Sequence, residues 1–421
     1  MHGRSEQDNE EGRRVGERRV EEVRFGGVDW SWERHAACVV DSGGRPVERF
    51  DVAHDAAGLR ELGRRLRRSG CVRVAIERGD GPVVDALLAG GLQVVVVSSR
   101  QVKALRLRYG TAGNKDDRFD AFVLADVLRT DGHRLAPLTA DSAATVGLRA
   151  LVRARKDLIK HRIALGNQLR AHLLAAFPGA VGLFAEIDSP ISLAFLTRFP
   201  DPQRAGWLSD KRLTAWLRGV GYSGRRTPQQ LIRHLRAAPT GWDGPAADAG
   251  TAVTDQLVAA LTDLRGRIAA LHERITETLA LHADAHVFTS LPRAGTVRAA
   301  LLLAEIGDCR ARYPDDTALA AAAGVAPSTR ASGKKHHVAF RHACDKKLRE
   351  ALIDFAADSR QTNPWAADIY TRARARGARH PHAVRILARA WTRVIWRCWT
   401  DGVPYNPAHH GGLQRLQPTE G

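Results

Sequence analysis

Cysteine is sparse and dispersed in this 421-residue chain, which contains five cysteines far apart in the sequence. No two of them form a C-x-x-C pair, so the spacing indicates neither a zinc site nor a disulfide framework. This usage fits a reducing cytoplasm.

Long apolar runs are also missing. No stretch approaches the roughly 20 residues that a membrane-spanning helix needs, and the longest run, 92–97, predicts one buried strand. Residues 1–22 are rich in Arg, Glu and Gly without the apolar core of a signal peptide, so they predict a disordered charged leader. We therefore expect a soluble protein with no membrane partner.

Positive charge is in excess. Lys and Arg total 64 against 46 Asp and Glu, which gives a formal net charge of +18 and a pI near 10.5. Such a balance favours a polyanionic partner, nucleic acid before an anionic membrane surface, over an acidic small molecule. The length allows two or three domains with their own cores.

The chain divides by its hydrophobic patterns. Strands are predicted at 23–30, 35–41, 46–53, 71–77 and 92–98, with helices at 59–68, 83–89 and 101–108. Three consecutive strands predict an antiparallel meander, and the later strand–helix alternation predicts parallel strands. This order predicts an α/β ribonuclease H-like (RuvC-like) domain.

Helical patterns replace strands from about residue 143. Apolar residues repeat at seven in the first long segment, and in the second they alternate steps of four and three: Leu257, Leu261, Leu264, Ile268, Leu271 and Ile275. This spacing predicts a coiled coil, within one chain or between chains, and a plain helical core is the alternative. Residues 178–250 between them predict short helices.

The last third begins with a Leu-Pro-Arg-Ala-Gly turn at 291–295 that precedes an apolar helix. Such a turn resembles the second half of a helix-hairpin-helix, whose backbone amides can hold a phosphate. A polar basic loop, further helices and an irregular tail beyond Pro404 follow. The predicted divisions are a disordered leader 1–22, a ribonuclease H-like domain 23–142, a coiled-coil and helical middle region 143–285, a mainly helical, serine-bearing C-terminal domain 286–408 and a flexible tail 409–421.

Four carboxylates have the placement of a metal site. Asp29 and Glu77 end predicted strands, where residues of parallel-type sheets line the ligand crevice. Asp117 and Asp120 are spaced to share one helix face, although Asp116 and Asp120 would share one too. Together four acids can hold two Mg²⁺ ions for phosphoryl transfer. Singly, each is more readily explained as structural, because acidic residues are common at strand ends and the helix dipole favours them at helix N-termini.

A second group surrounds Ser332, which precedes Gly333 in the polar basic loop. A serine beside glycine can approach a phosphodiester, and nearby cations offset the charge that develops as its oxygen attacks. The alternative is a loop that only grips the phosphate backbone. The basic residues expected to contact nucleic acid are Lys115, Lys334, Lys335, Arg341, Lys346 and Lys347.

These residues resemble those of the IS110 insertion-sequence transposases, also called DEDD transposases and understood as bridge-RNA-guided recombinases. The likeness covers about residues 23–408 in order. It comprises the Gly-Val-Asp strand, the Ala-Ile-Glu strand, the Lys-x-Asp-x-x-Asp-Ala box at 115–121, Leu-Pro-x-x-Gly at 291, Ala-Gly-Val-Ala-Pro at 323 and Ser-Gly at 332.

The resemblance implies roles for these residues. Asp29, Glu77, Asp117 and Asp120 would be the four carboxylates, and Ser332 the nucleophile that attaches to DNA. It also implies that a structured guide RNA pairs with donor and target DNA, and that a homo-oligomer, a dimer or tetramer, combines one subunit's serine domain with another's acidic domain.

The sequence departs from the family pattern in three places. Asp116 stands where Thr is usual, Arg293-Ala294 replace Gly-Ile, and Gly79-Asp80 follow Glu77 where Thr-Gly is common. None of these changes removes a catalytic group.

Three other functions remain as alternatives. A water-using metal-dependent nuclease or junction resolvase would need the four acids but not Ser332, and a non-catalytic RNA- or DNA-binding protein would bind without turnover. An actin-like kinase or ATPase fold is disfavoured because the later region lacks a Gly-rich phosphate loop.

Overall fold

The computed structural model describes residues 23–109, 116–332 and 335–416. The predicted leader, Lys115, Lys334 and the end of the predicted tail lie outside these residues. The chain forms two compact units that divide between Ala140 and Asp141. The finer division predicted within the second unit stays a prediction.

The first unit is built on a five-stranded mixed sheet of order β3-β2-β1-β4-β5. The antiparallel β1, β2 and β3 confirm the predicted meander, and β4 and β5 pair parallel to β1 and β4. This sheet is compatible with a ribonuclease H-like domain. The strands are β1 (Arg24–Asp29), β2 (Arg34–Val40), β3 (Pro46–Ala53), β4 (Cys71–Ile76) and β5 (Gln93–Val96).

Helices cover both faces of this sheet because its strands are apolar on both sides. Val74 and Ile76 of β4 pack in one cluster with the helices that flank β4, whereas Ala75 packs in the cluster of the last helix. This alternation is the two-residue period of a strand. The helices are α1 (Ala56–Arg68), α2 (Pro82–Ala89), α3 (Ser99–Arg106) and α4 (Asp117–Asp131).

Gly27 lets β1 and α4 approach closely. A Cβ atom at this position would lie 2.1 Å from the carbonyl oxygen of Ala121 and 2.4 Å from the backbone nitrogen of Ala125. Only glycine fits such a contact between backbones. The end of β1 and the start of α4 are therefore held side by side.

The second unit is mainly helical. Its helices are α5 (Ala143–Ala176), α6 (Pro190–Arg198), α7 (Pro202–Gly206), α8 (Asp210–Gly219), α9 (Pro228–Ala237), α10 (Gly244–Ala280), α11 (Ala285–Thr289), α12 (Gly295–Ile306), α13 (Asp316–Ala322), α14 (Lys346–Ser359), α15 (Pro364–Ala375), α16 (His380–Asp401) and α17 (Gly411–Gln414). None of the described helices is both long and apolar enough to cross a membrane.

The long helices α5 and α10 pack along each other. Leu257, Leu261, Ile268 and Ile275 of the predicted seam are buried, whereas the other two positions, Leu264 and Leu271, are half-buried. The pairing agrees with the predicted periodicity, and coiled-coil packing itself stays a prediction. The short helices predicted between them are present as α6 to α9, around a core to which α5 and α10 also contribute side chains.

The C-terminal helices enclose several large aromatic side chains. Trp391, Trp399, Phe288 and Phe355 are fully buried in one cluster. The indole Nε1 of Trp399 donates to the carbonyl oxygen of Gly307 at 2.8 Å. This satisfied polar atom lets a tryptophan lie in the core.

Two expectations for the second unit are wrong. Strands do not stop at residue 143, because the predicted basic loop forms an antiparallel hairpin of β6 (Ser328–Ser332) and β7 (Lys335–Ala339). Paired backbone groups stabilise it, and its polar sequence lacks the apolar alternation that predicts a strand. The chain beyond Pro404 is not irregular throughout, since a 3₁₀ turn precedes α17 and Leu413 is buried.

Candidate metal centre and serine hairpin

Three carboxylates of the first unit, Asp29, Asp117 and Asp120, lie together and form the acidic group. Asp29 is the last residue of β1, and Asp117 and Asp120 lie in the first turn of α4. Each offers a carboxylate oxygen within 4.8 Å of those of the other two. Such a set of oxygen donors suits a hard divalent cation.

Glu77 lies near this group along the sheet but is not part of it. The register pairs Val28 with Ile76, so the next residues are Asp29, which ends β1, and Glu77, which directly follows β4. The three-carboxylate group among the described residues does not include Glu77. Its role as a fourth ligand stays a prediction.

Asp116 and Asp117 differ in what their side chains do. Asp116 is the N-cap residue of α4, and its Oδ1 accepts a hydrogen bond from the backbone nitrogen of Arg118 at 3.1 Å. This bond satisfies an amide at the helix N-terminus. Asp117 is exposed and belongs to the acidic group. The structure therefore favours Asp117 over Asp116 as the ligand.

Arg106 is a member of the site that sequence reasoning missed. From the end of α3 it donates through Nε and Nη2 to both carboxylate oxygens of Asp120. The Asp120 side chain is only 2% exposed, so the guanidinium compensates a buried negative charge. No motif links residues 14 positions apart on two helices, and only packing brings them together.

Ser332 is the last residue of β6 in the second unit. Its backbone pairs with that of Lys335, the first residue of β7, so the serine lies where the two strands meet their connection. The two strands form a sheet of their own. The serine is therefore carried by a hairpin and not by the core.

The basic residues after the hairpin have different surroundings. Arg341 donates to the carbonyl oxygens of Ala326 and Pro327, each at 3.4 Å, beside the start of β6. Lys346 and Lys347 are exposed in the first turn of α14, where the helix dipole disfavours cations. The helix dipole therefore does not account for these two lysines, and their contact with nucleic acid stays a prediction.

The chain matches two protein-family models. A model described as a transposase, named for the DEDD transposase of IS110, matches residues 26–178. A second, described as the IS116/IS110/IS902 transposase family, matches residues 285–371. The first segment contains Asp29, Glu77, Asp117 and Asp120, and the second contains Ser332. The class of protein that these matches define is a DNA transposase.

Similar proteins from three bacteria extend the match along most of the chain. A mini-circle protein of IS117 from Streptomyces coelicolor, named as a transposase, is 33% identical over 89% of this chain and 93% of its own. A 44.8 kDa protein of insertion element IS116 from Streptomyces clavuligerus is 30% identical, with 91% and 96% covered. A 42 kDa protein of IS900 from Mycobacterium paratuberculosis is 29% identical, with 91% and 97% covered. The chain belongs to the IS110 family of transposases.

Proposed function

We propose that this transposase cuts and rejoins DNA in a reaction that depends on Mg²⁺ at the acidic group. The observation that carries the proposal is the convergence of Asp29, Asp117 and Asp120 at the junction of β1 and α4. The net charge of +18 supports a DNA substrate, comprising the element ends and the target.

The donor set fits this metal. Three carboxylates supply only hard oxygen ligands, which Mg²⁺ prefers over nitrogen or sulfur. Glu77, next to Asp29 across the sheet, would complete a set for two ions. Bound Mg²⁺ would polarise the scissile phosphate and stabilise charge on its oxygens. Arg106 has to share or release Asp120 when a cation enters.

Ser332 is the proposed nucleophile. Its hydroxyl gives up its proton as the oxygen forms a bond to the phosphorus, the bond from phosphorus to one deoxyribose oxygen breaks, and that oxygen takes up a proton. The resulting phosphoserine ester retains the bond energy, so attack by a DNA hydroxyl reverses the step and rejoins the strands. The position of Ser332 at the end of β6, with basic residues following, supports close approach to a phosphodiester.

Choice of the DNA sequence is proposed to reside in a structured guide RNA. Base pairing would then supply specificity, while the protein contacts backbone and RNA shape. A coiled coil formed by α5 and α10 would serve assembly of a dimer or tetramer. The turn at 291–295, as a helix-hairpin-helix element, would bind phosphate. The resemblance to the IS110 family supports these finer assignments.

Adjacent aspartates provide the sharpest test of the metal site. Asp117→Asn should lower Mg²⁺-dependent cleavage of element-end DNA by at least about 100-fold, because a ligand charge is lost. Asp116→Asn is the matched control and should retain cleavage within a few-fold, since Asn also caps helices. The reverse pattern would move the site by one residue. Full activity in both variants would contradict the proposal.

A further inference from the structure

The helical segment 198–238 is strongly basic and lies outside both family models. It contains nine Arg or Lys residues against two Asp residues. The matched segments are 26–178 and 285–371. The positive charge of segment 198–238 therefore lies outside the parts of the chain that the two family models match.

A cleft in this segment combines cations with aromatic rings. Its volume is about 610 Å³. It is lined by Arg198, Arg204 and Arg212 together with Trp207 and Trp216. The arginines come from α6, α7 and α8, so three helices converge on it.

The charges in the cleft are largely uncompensated. Arg204 lies 3.5 Å from a carboxylate oxygen of Asp201. Within the described parts of the chain, no carboxylate lies within ion-pair distance of Arg198 or Arg212. Arg212 donates to the backbone carbonyl oxygen of Trp207 at 2.8 Å, which fixes its guanidinium near the backbone of that residue. An anionic ligand would complement this surface.

Trp207 is exposed to an unusual degree for a tryptophan. Its side chain lies at the cleft and is 75% exposed, whereas Trp216 packs against Phe195 and Phe199. An indole face in water offers a stacking platform, and arginines around it offer contacts to phosphates. Duplex DNA shields its base faces by stacking, so it cannot use both features at once.

We propose that this cleft binds unpaired nucleotides, with a base on the indole of Trp207 and flanking phosphates on Arg198, Arg204 and Arg212. RNA and single-stranded DNA share this chemistry. This proposal rests on the proposed function in one respect, that the partner is nucleic acid. It requires neither the acidic group nor Ser332.

Substitution of the indole tests the stacking contact. Anisotropy of labelled 12-nucleotide oligo-dT, oligo-U and a 12-base-pair duplex is measured with the full chain in EDTA, where cleavage cannot contribute. Trp207→Ala should weaken binding of single strands about 10-fold and leave the duplex little changed. Trp32→Ala removes an equally exposed tryptophan from the first unit and is the matched control.

The two single strands distinguish the source of the nucleotides. A larger loss for oligo-U assigns the cleft to RNA, a larger loss for oligo-dT assigns it to DNA, and equal losses assign it to both. Equal effects of Trp207→Ala and Trp32→Ala, or an equal loss for the duplex, would overturn the proposal.

Charge removal tests the phosphate contacts separately. Replacing Arg198, Arg204 and Arg212 together by Gln should reduce the salt dependence of single-strand binding by a slope of about 1 to 2. The control replaces three ion-paired arginines, Arg267, Arg274 and Arg397. An unchanged slope, or equal competition by polyglutamate of the same charge, would overturn the proposal. Asp117→Asn should bind single strands as the wild type does. Failure of the cleft proposal can therefore be distinguished from failure of the metal-site proposal.

Discussion

The acidic group and the proposed nucleophile are supported in different ways. Asp29 and Asp120 lie where β1 meets α4. Gly27 allows the backbones of these two elements to approach closely, and Asp120 is buried. Ser332 ends a strand of a two-stranded sheet, a structure that has little stability by itself. The acidic group is thus positioned by the core of a domain, whereas the serine depends on a local hairpin. Substitutions should therefore affect the two segments differently.

The largest effect is expected at Gly27. Gly27→Ala places a methyl group against the backbone of α4, so it should lower the free energy of unfolding by about 3 kcal/mol or more. Cleavage should be lost with the geometry. The measurement is thermal unfolding followed by circular dichroism.

Gly63→Ala is the control for this substitution, because its Cβ would meet only the carbonyl oxygen of Ala86 at 3.9 Å. It should be neutral or slightly stabilising within α1. Equal stability of the two variants would contradict the close packing of β1 on α4.

Acid should weaken the first unit through His35. This fully buried residue of β2 lies 2.8 Å from His54, and burial, followed by the charge of His54, lowers its pKa to about 4. A depressed folded-state pKa contributes stability above the unfolded value of about 6.5 that is lost as pH falls toward 4. The loss should reach about 3 kcal/mol.

Hydrogen exchange of the β2 amides at several pH values measures this dependence. His35→Asn should remove most of it between pH 6.5 and 4, while His286→Asn, at an exposed position of the second unit, should leave it intact. A wild-type profile in the His35→Asn protein would assign the acid sensitivity to other groups.

Arg106→Gln should have a smaller effect that Mg²⁺ reverses. Removing the guanidinium leaves the buried carboxylate of Asp120 without its cation, at a cost of about 2 kcal/mol. If Mg²⁺ binds there, it should stabilise this variant more than the wild type in parallel denaturant titrations. Arg64→Gln, at an exposed pair with Glu61, should show neither effect. An equal Mg²⁺ response in all three proteins would contradict competition at Asp120.

The smallest effect is expected in the second unit, at Arg293. It is the described non-glycine residue with a positive φ, 56°, a conformation that favours glycine. Arg293→Gly should raise the free energy of unfolding by about 0.5–1 kcal/mol, measured by denaturant unfolding. Ala294→Gly, whose φ is −59°, should be destabilising. Loss of stability in both variants would show that Arg293 is not strained.

The sequence predicts much of the first unit because its strands and helices carry regular apolar patterns. The predicted ends of β1 and β4 therefore indicate where Asp29 and Glu77 lie along the sheet. Arg106 could not be predicted, since its pairing with Asp120 depends on how two helices pack. The β6–β7 hairpin was missed because backbone pairing stabilises polar strands that lack an apolar alternation. The cleft at Trp207 likewise forms only when three helices converge.

The acidic group and Ser332 are proposed to act in one reaction, and a denaturing gel tests this directly. Labelled element-end DNA is incubated with protein, Mg²⁺ and the element's RNA. The wild type should give a protease-sensitive shifted band, whereas Ser332→Ala and Asp117→Asn should give none while both proteins remain folded. Recombination by Ser332→Ala at the wild-type level would contradict the proposed role of Ser332 as the nucleophile and would favour a water-using nuclease.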